Sequence, residues 1–290
     1  MPNSGNIRLE GSSKTNNMEF KYFSRNGKIL PIKEAVVPLA NIEYQYGFGV
    51  YESIRVAGGT PYFMADHVER LMGSATEIGL AHAFKAAQVE QAILELLERN
   101  AVESCNVKIL LIGGKGAEDA SLEILCLNPL YPDPKLYRDG VHCITYPYER
   151  PFPHAKTLSM LGSYLAYTAA KIADAYDALL LNRDGYITEG TRTNFFCLKG
   201  KTLYSPPEEQ ILLGVTRRHV LAVAREKGFT VEITNIKCSD ISHYEGAFLT
   251  SSSSKIVPVR SVDAFSFKDQ PAALKELMRT FDEFLAEHKG

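Results

Sequence analysis

The first half of the chain alternates short apolar runs, bounded by turn residues, with two longer runs of helical spacing. Asn26-Gly27 and Gly58-Gly59 predict tight turns between pairs of strands. Asp66 precedes apolar residues three and four apart, so we expect it to cap a helix. Residues 86–100 predict a second helix, and the predicted strands are 19–23, 28–32, 49–56, 61–64, 107–113 and 122–127. This half predicts one α+β unit.

The second half mixes strands and helices in the same way. Its predicted strands are 141–146, 178–181, 194–198, 231–233, 246–250 and 256–262, and its predicted helices are 158–175, 216–227 and 272–287. Between the halves, residues 128–134 contain three prolines, which disfavour a helix and cannot donate to a central strand ladder. We therefore expect an N-terminal domain of residues 18–127, a linker of residues 128–137 and a C-terminal domain of residues 138–290.

Length and composition are those of a soluble enzyme. The chain has 290 residues, and single hydrophobic cores stop growing at about 250–300 residues, which favours two domains. Hydrophobic residues are 45%, charged residues 23% and the net charge is −2, so nucleic acid is not an expected partner. Neither a membrane span nor a signal peptide is predicted, and we expect a cytoplasmic protein. Residues 1–17, rich in Asn, Ser and Gly, predict a disordered leader.

Motifs for metal or nucleotide binding are incomplete. The five cysteines are widely spaced with no C-x-x-C, and the seven histidines form no H-x-x-x-H pair, so we expect reduced core thiols and no metal site. Residues 113–116 lack the spacing of a phosphate-binding loop, and residues 47–49 lack the third glycine of a dinucleotide turn. Both glycine-containing segments predict ordinary turns.

A lysine and an acid occupy positions that suit chemistry on an aldehyde cofactor. Lys156 lies between a proline-broken segment, residues 148–155, and a predicted helix, and Glu189 lies in a predicted acidic turn, residues 188–190. Lysine forms Schiff bases, and a separate carboxylate can hold the ring nitrogen of pyridoxal phosphate. On spacing alone, a surface lysine and a common turn are the favoured explanations of the two residues.

Two further segments predict donors for a phosphate group. Gly214 precedes a predicted helix, so the amides of Val215 and Thr216 would point towards an anion. Thr250 is followed by four serines, 251–254, whose amides and hydroxyls can bind phosphate oxygens. Arg70 can add a guanidinium group. The occurrence of both donor sets with Lys156 and Glu189 favours a pyridoxal phosphate site over the separate ordinary explanations.

Five stretches of the chain follow one another in an order that resembles class IV aminotransferases. They are Tyr-Gly-Phe-Gly-Val-Tyr-Glu-Ser-Ile-Arg at 46–55, Ala-Lys-Thr-Leu-Ser-Met-Leu-Gly-Ser-Tyr-Leu-Ala at 155–166, Ile-Thr-Glu-Gly-Thr-Arg-Thr-Asn-Phe at 187–195, Gly-Val-Thr-Arg at 214–217 and Ser-Ser-Lys-Ile-Val-Pro-Val at 253–259. These fold-type IV pyridoxal phosphate enzymes include branched-chain and D-amino acid aminotransferases, (R)-amine transaminases and aminodeoxychorismate lyases. The resemblance runs from about residue 19 to the C-terminus.

The resemblance implies a fold, an assembly and a set of cofactor contacts. The expected fold is α/β (α+β), with a smaller N-terminal domain, a larger C-terminal domain and the active site between them, in a homodimer whose interface helps to build the site. Lys156 looks like the Schiff-base lysine and catalytic proton carrier, Glu189 like the partner of the pyridine nitrogen, and Asn194 like a brace for the loop behind the cofactor. The implied phosphate contacts are Arg70, Val215, Thr216, Ser252 and Ser253.

The same resemblance implies an amino group transfer between an amino acid and a 2-keto acid in a ping-pong cycle. Tyr46 and Arg55 resemble the branched-chain enzymes, which favours branched-chain or other apolar substrates, and Tyr51 and Lys108 join them as candidates for substrate binding. Lys108 stands where branched-chain enzymes commonly carry a second arginine. These enzymes also tend to place a tyrosine where this chain has Leu161.

Other activities remain open on the sequence. D-amino acid aminotransferases typically carry an Arg-Gly…His pattern where residues 113–120 contain neither arginine nor histidine, which weakens that interpretation. An aminodeoxychorismate lyase would use the same lysine and release pyruvate, and an (R)-amine transaminase or a cofactor-free binding protein on the same scaffold are further alternatives. The exact substrate and its stereochemistry are not fixed by these residues.

Overall fold

The computed structural model describes residues 18–129 and 131–288, and the predicted leader, residues 1–17, lies outside the described residues. The first half forms a six-stranded antiparallel sheet in the order β2-β1-β6-β5-β3-β4. Its elements are β1 Tyr22–Arg25, β2 Lys28–Pro31, α1 Ile42–Gln45, β3 Gly49–Ala57, β4 Thr60–Pro61, α2 Met64–Glu77, α3 Ala86–Arg99, β5 Ser104–Ile112 and β6 Ser121–Leu127.

The second half forms a mixed sheet with the main order β12-β11-β10-β14-β15-β7-β8-β9-β13, and β16 pairs with β15. Its elements are α4 Pro134–Asp139, β7 Val141–Pro147, α5 Leu161–Ile172, β8 Asp177–Leu181, β9 Tyr186–Gly190, β10 Asn194–Lys199, β11 Thr202–Ser205, α6 Val215–Glu226, β12 Thr230–Ile233, β13 Ile236–Lys237, β14 Gly246–Ser251, β15 Lys255–Val262, β16 Phe265–Ser266 and α7 Ala272–Glu287. Within the described ranges, no helix combines the length and apolarity needed to cross a membrane.

Helices cover each sheet through the apolar faces that the sequence predicts. Leu71 of α2 and Ile93 and Leu96 of α3 are fully buried against the first sheet, because residues at helical spacing share one face. In the second sheet, the stacked rings of Phe196 and Phe248, whose centroids lie 4.8 Å apart, pack under α6 and α7. This packing fixes the positions of the strand ends that line the pocket described below.

Local predictions fail where a distant contact decides the conformation. Asp66 is not a helix cap: α2 begins two residues earlier, after Phe63, and the Asp66 carboxylate pairs with Arg218 and His219 of α6. The predicted strand 61–64 is therefore wrong beyond Pro61. Helix α5 begins at residue 161 rather than 158, because residues 157 and 158 pair with the start of β3.

Two predicted irregular segments are regular. The acidic turn predicted at residues 188–190 is part of strand β9, which pairs with β8 and β13. Helix α4 occupies the end of the predicted linker, since Pro134 stands in its first turn, where a missing N–H costs no helical hydrogen bond. The two sheets take their strands from either side of residues 128–133, and the domain limits 18–127, 128–137 and 138–290 stay predictions.

Candidate active site

A pocket lies where the two sheets meet, and both halves of the chain line it. Tyr51 of β3 and Arg70 of α2 come from the first half. The second half contributes the segment around Lys156, the β9–β10 connection, the start of α6 and the end of β14. The pocket thus gathers most of the residues that the sequence predicts for cofactor binding: Arg70, Lys156, Glu189, Asn194, Val215, Thr216 and Ser252.

Lys156 is held by its own backbone in an extended segment ahead of α5. Its N–H donates to the Ser74 hydroxyl at 3.1 Å, and its carbonyl accepts from the N–H of Tyr51 at 2.9 Å. The Lys156 Nζ atom lies 4.7 Å from the centre of the Tyr51 ring. The amine therefore points into the pocket from a backbone that is fixed on both sides.

The environment of Lys156 increases the fraction of its amine that is neutral. Burial, followed by the positive charge of Arg70, lowers the pKa of Lys156 to about 8. At pH 8 about half of such a group is neutral, whereas less than about 1% of an unshifted lysine is neutral at that pH. Lys156 is therefore able to act as a nucleophile near neutral pH.

Glu189 faces the same pocket and is tied to the segment that carries Lys156. Its Oε1 accepts from Arg150 Nη1 at 2.7 Å, and its Oε2 accepts from the N–H of Leu212 at 3.1 Å. Arg150 also donates to the carbonyl of Ala155 at 2.5 Å. Arg150 was not predicted from the sequence, although its place in the proline-broken segment six residues before Lys156 was a usable signal.

The predicted phosphate donors converge at one end of the pocket. Helix α6 begins at Val215, so its first amide groups have no helical partners and face the pocket. The Thr216 hydroxyl lies 3.5 Å from the Ser252 hydroxyl. Ser253 does not line the pocket, because its carbonyl turns away and accepts from Arg55 Nη1 at 3.2 Å. Ser251 stands in its place as a pocket residue.

Arg70 is fixed by a buried acid that was not predicted from the sequence. Arg70 Nε donates to Glu52 at 2.6 Å, and His67 Nδ1 lies 2.8 Å from the same carboxylate. Burial alone would raise the pKa of Glu52, but the positive charge of Arg70 and the hydrogen bond with His67 hold it well below its usual range. Glu52 therefore stays ionised and orients Arg70 towards the pocket. The sequence signal that could have identified Glu52 is its position as a lone carboxylate in an apolar strand.

Asn194 braces the loop that precedes α6. Its Nδ2 donates to the carbonyl of Leu212 at 2.7 Å, and a Cβ atom on Gly214 would collide with its Oδ1. The connection before Asn194 is held by Asp177, which accepts from the hydroxyl of Thr191 at 2.5 Å and of Thr193 at 2.9 Å. Asn194 thus contacts the loop before α6, and the role behind the cofactor that the resemblance implies for it stays a prediction.

The predicted substrate residues separate into two groups. Tyr51 lines the pocket, and Lys108 Nζ lies 3.4 Å from the centre of its ring. Tyr46 is 81% exposed and lies outside the pocket of the single chain, since it ends the short helix α1 on the surface. Arg55 also lies outside it, because its guanidinium group stacks on the Tyr131 ring at 4.4 Å. The resemblance implies a homodimer whose interface helps to build the site, and the roles of Tyr46 and Arg55 in substrate binding stay predictions.

Comparisons with known proteins show what this chain is similar to. The family model for amino-transferase class IV matches residues 49–262. The chain is 30% identical over 247 residues to a D-alanine aminotransferase of Bacillus licheniformis, covering 82% of this chain and 87% of that one. It is 31% identical over 252 residues to a putative branched-chain-amino-acid aminotransferase of Methanocaldococcus jannaschii, covering 82% and 86%.

A comparison with a solved structure identifies the fold. The branched-chain amino acid aminotransferase of T.th., solved with pyridoxamine 5'-phosphate, superposes with a TM-score of 0.85 at 25% identity, covering 94% of this chain and 96% of that one. The fold is therefore the mixed α/β architecture of fold-type IV enzymes. Since the family model spans most of the chain, this protein belongs to the class IV aminotransferases.

Proposed function

We propose that this aminotransferase binds pyridoxal phosphate covalently through Lys156 and moves amino groups between apolar amino acids and 2-keto acids. The observation that carries the proposal is the shared pocket of Lys156 and Glu189, linked by Arg150. The residues fit the cofactor: a partly neutral lysine, a buried carboxylate and a set of anion donors from α6 lie around one cavity. When bound, the cofactor supplies an electron sink for the substrate's Cα carbanion.

The side chains and amides of the pocket would each have a separate role in the reaction. Lys156, once released by the substrate amine, would take the proton from the substrate Cα and return it as a general acid. Glu189 would hold the proton of the ring nitrogen, and its ion pair with Arg150 keeps the carboxylate in position for that purpose. The amides of Val215 and Thr216, together with Arg70, would bind the phosphate group.

The wall of the pocket favours substrates that have apolar side chains. Tyr51 and Met160 meet beside Lys156, with the Tyr51 hydroxyl 3.6 Å from the Met160 sulfur. The named relatives act on branched-chain amino acids or on D-alanine, which keeps both stereochemical series in the test.

The test is a panel of L-leucine, L-isoleucine, L-valine and D-alanine with 2-oxoglutarate, in which the keto acid product of each donor is measured. We expect the L-branched-chain donors to react fastest. The absence of product from all three would refute the apolar preference, and product from D-alanine alone would assign the protein to the D-series. Pyruvate release from aminodeoxychorismate without a keto acid would identify a lyase instead.

We also propose that two chains form a homodimer over the outer face of α5. Apolar residues at helical spacing along this helix are exposed, Leu161 by 70%, Tyr164 by 64% and Ile172 by 84%. Exposed apolar patches of this kind mark protein interfaces. The cytoplasmic location expected from the sequence stays a prediction.

Replacing Ile172 with glutamate should weaken this dimer, because a charge would be buried at its interface. We expect a dissociation constant at least about 10-fold higher, measured by light scattering across a dilution series. Leu94→Glu, on the exposed face of α3, is the matched control, since Leu94 is 44% exposed and lies away from α5. If the dimers of both variants were equally stable, the proposal that α5 lies at the interface would be refuted.

Gly214→Ala should lower the affinity for pyridoxal phosphate. The new Cβ would collide with Asn194 Oδ1, and the loop before α6 would have to move away from its brace. Overpacking of this kind costs about 1–3 kcal/mol, which corresponds to roughly a 5- to 150-fold weaker affinity if the loss falls on the phosphate contacts. Fluorescence titration of the cofactor-free protein measures it. Gly73→Ala is the control, because a Cβ on Gly73 meets no atom within 4 Å.

A further inference from the structure

His67 connects the buried acid Glu52 to one of the candidate phosphate donors. Its side chain is 1% exposed, its Nδ1 atom lies 2.8 Å from Glu52 Oε2, and its Nε2 atom lies 3.3 Å from the Ser252 hydroxyl. Ser252 in turn lines the pocket and lies 3.5 Å from the Thr216 hydroxyl at the start of α6. A buried carboxylate, an imidazole and a hydroxyl therefore form one hydrogen-bonded chain that ends at the pocket.

The hydrogen positions along this chain follow from the charge of Glu52. Arg70 donates to both oxygens of the carboxylate, at 2.6 and 2.9 Å, so Glu52 is ionised and can only accept hydrogen bonds. The Nδ1 atom of His67 must then carry a hydrogen and donate it. Burial, which outweighs the negative charge of Glu52, lowers the pKa of His67, so its Nε2 atom carries no hydrogen near neutral pH. Nε2 therefore accepts from the Ser252 hydroxyl.

This arrangement conflicts with the binding of a phosphate group by the Ser252 side chain. A hydroxyl group has a single hydrogen, and while Nε2 of His67 accepts it, the Ser252 oxygen can offer only lone pairs to the pocket. Phosphate oxygens are acceptors, so the hydrogen has to turn towards them, and the buried Nε2 atom would then lose its partner. A proton on Nε2 resolves the conflict, because Nε2 can then donate to the Ser252 oxygen.

The charges around His67 oppose that proton until an anion arrives. The positive charges of Arg70 and Lys156 lower the pKa of His67, and Glu52 is the acid in contact with the ring. The ring also lines a second, small cavity, whose titratable residues are Arg55, Tyr62 and Lys255, the last paired with Asp282. A phosphate dianion in the pocket beside Ser252 would add about two negative charges to this region and offset the surrounding cations.

We propose that His67 takes up a proton when the phosphate group of the cofactor binds, and that the Ser252 hydroxyl then turns from His67 to the phosphate. The proton comes from solvent and goes to Nε2, which changes from acceptor to donor, and no other covalent bond forms or breaks. The inference rests on the proposed pyridoxal phosphate site and adds a condition for its loading. His67 is a positioning residue, since it acts on the phosphate through Ser252. The affinity for the phosphate group should consequently fall as the pH rises.

Nitrogen NMR of the histidine side chains tests the proton uptake directly. The cofactor-free full-length protein, made with nitrogen-15-labelled histidine, is titrated at about pH 7.5 with pyridoxine 5′-phosphate, which has an alcohol in place of the aldehyde and cannot bond to Lys156. We expect the Nε2 resonance of His67, identified by its loss in His67→Asn, to move from the range of an unprotonated ring nitrogen to that of a protonated one. A resonance that stays unprotonated at saturation, or that is protonated before the probe is added, would overturn the proposal.

Calorimetry in buffers of different ionisation enthalpy counts the protons taken up when the same probe binds. The wild type should take up more than His67→Asn, by up to about one proton, and its affinity should fall more steeply between about pH 7 and 8.5, by up to about tenfold per pH unit. Asparagine keeps an amide that can donate to Glu52 and does not titrate. His142→Asn is the matched control and should behave as the wild type, since His142 Nδ1 lies 2.8 Å from the Ser261 hydroxyl outside the pocket. Equal proton uptake by the wild type and His67→Asn would contradict the proposal.

Failure of this inference is separable from failure of the proposed function. If the wild type binds pyridoxine 5′-phosphate with no change at His67, only the proton uptake is refuted. If the wild type binds neither this probe nor pyridoxal phosphate, the proposed cofactor site and the inference fail together.

Discussion

Lys156→Ala is expected to lower kcat by roughly 10⁴-fold or more, because one side chain supplies both the covalent attachment and the proton transfer. Amino transfer from the best donor to 2-oxoglutarate measures the loss. Borohydride treatment followed by mass spectrometry should place the cofactor on the peptide that contains residue 156 in the wild type and leave the variant unlabelled. Lys227→Ala, an exposed lysine at the end of α6, is the control.

Activity within about 10-fold of the wild type, or a label on another lysine, would contradict this role for Lys156. The variant also offers a check on folding, since the protonated amine of Lys156 is less stable in the native pocket than in water, and its removal should not destabilise the chain by charge loss. Far-ultraviolet circular dichroism and urea unfolding would distinguish a folded inactive protein from an unfolded one.

The lowered pKa of Lys156 gives this prediction a pH dependence. Because the pKa is about 8 in the folded protein, the rate of cofactor uptake by the cofactor-free chain should rise about tenfold per pH unit below pH 8 and level off above it. Nα-acetyl-lysine, measured in parallel, divides out the ionisation of the cofactor. The unfolded chain binds the proton more tightly than the folded one, so Lys156 adds stability as the pH rises from about 8 to 10.5.

Glu189→Gln is expected to lower kcat by roughly 10²- to 10³-fold while the cofactor still attaches to Lys156. Glutamine keeps the shape of glutamate but cannot hold a proton on the ring nitrogen as an ionised carboxylate does. The change also leaves Arg150, which is 17% exposed at its side chain, without its acid. Rapid-mixing measurement of each half-reaction separates the catalytic loss from any loss of cofactor.

Arg150→Met in the same assay shows how much of the effect belongs to the ion pair. Breaking a buried pair by removing one partner costs about 3–5 kcal/mol, so Arg150→Met should be less stable in urea than the double variant with Glu189→Gln. Glu149→Gln is the matched control, because Glu149 pairs with Arg183 on the surface. A Glu189→Gln variant with the turnover of the wild type would refute the proposed contact of Glu189 with the ring nitrogen.

The sequence predicts elements well where their own periodicity decides the structure. Helix α7 has the predicted limits, and α3 and α6 agree within one residue, because each carries an apolar stripe at helical spacing. Strand β9 is short and has no such stripe, and its residues 188–190 were predicted to form a turn. Its pairing with β8 and β13, rather than its own pattern, makes it a strand.

The residues of the site also divide into those that the local sequence predicts and those that distant contacts decide. Lys156 and Glu189 were identifiable from residue type and order, and the structure brings them into one pocket. The contacts of Glu52 with His67 and Arg70 join residues 15 and 18 positions apart, and no local pattern fixes which cation a buried acid will meet. Tyr46 was chosen by resemblance alone, and its exposed position follows from the short helix α1, which the apolar pattern did not reveal.

The ion pair of Asp66 with Arg218 and its contact with His219 have a consequence for the lifetime of the protein as well as for its catalysis. They join α2, which carries Arg70, to α6, whose first turn offers the anion donors. A ligand held by both helices binds only the assembled chain, so it stabilises the native state in proportion to the logarithm of its concentration. Scarcity of the cofactor would then shorten the lifetime of the enzyme against proteolysis, and supply would set its abundance.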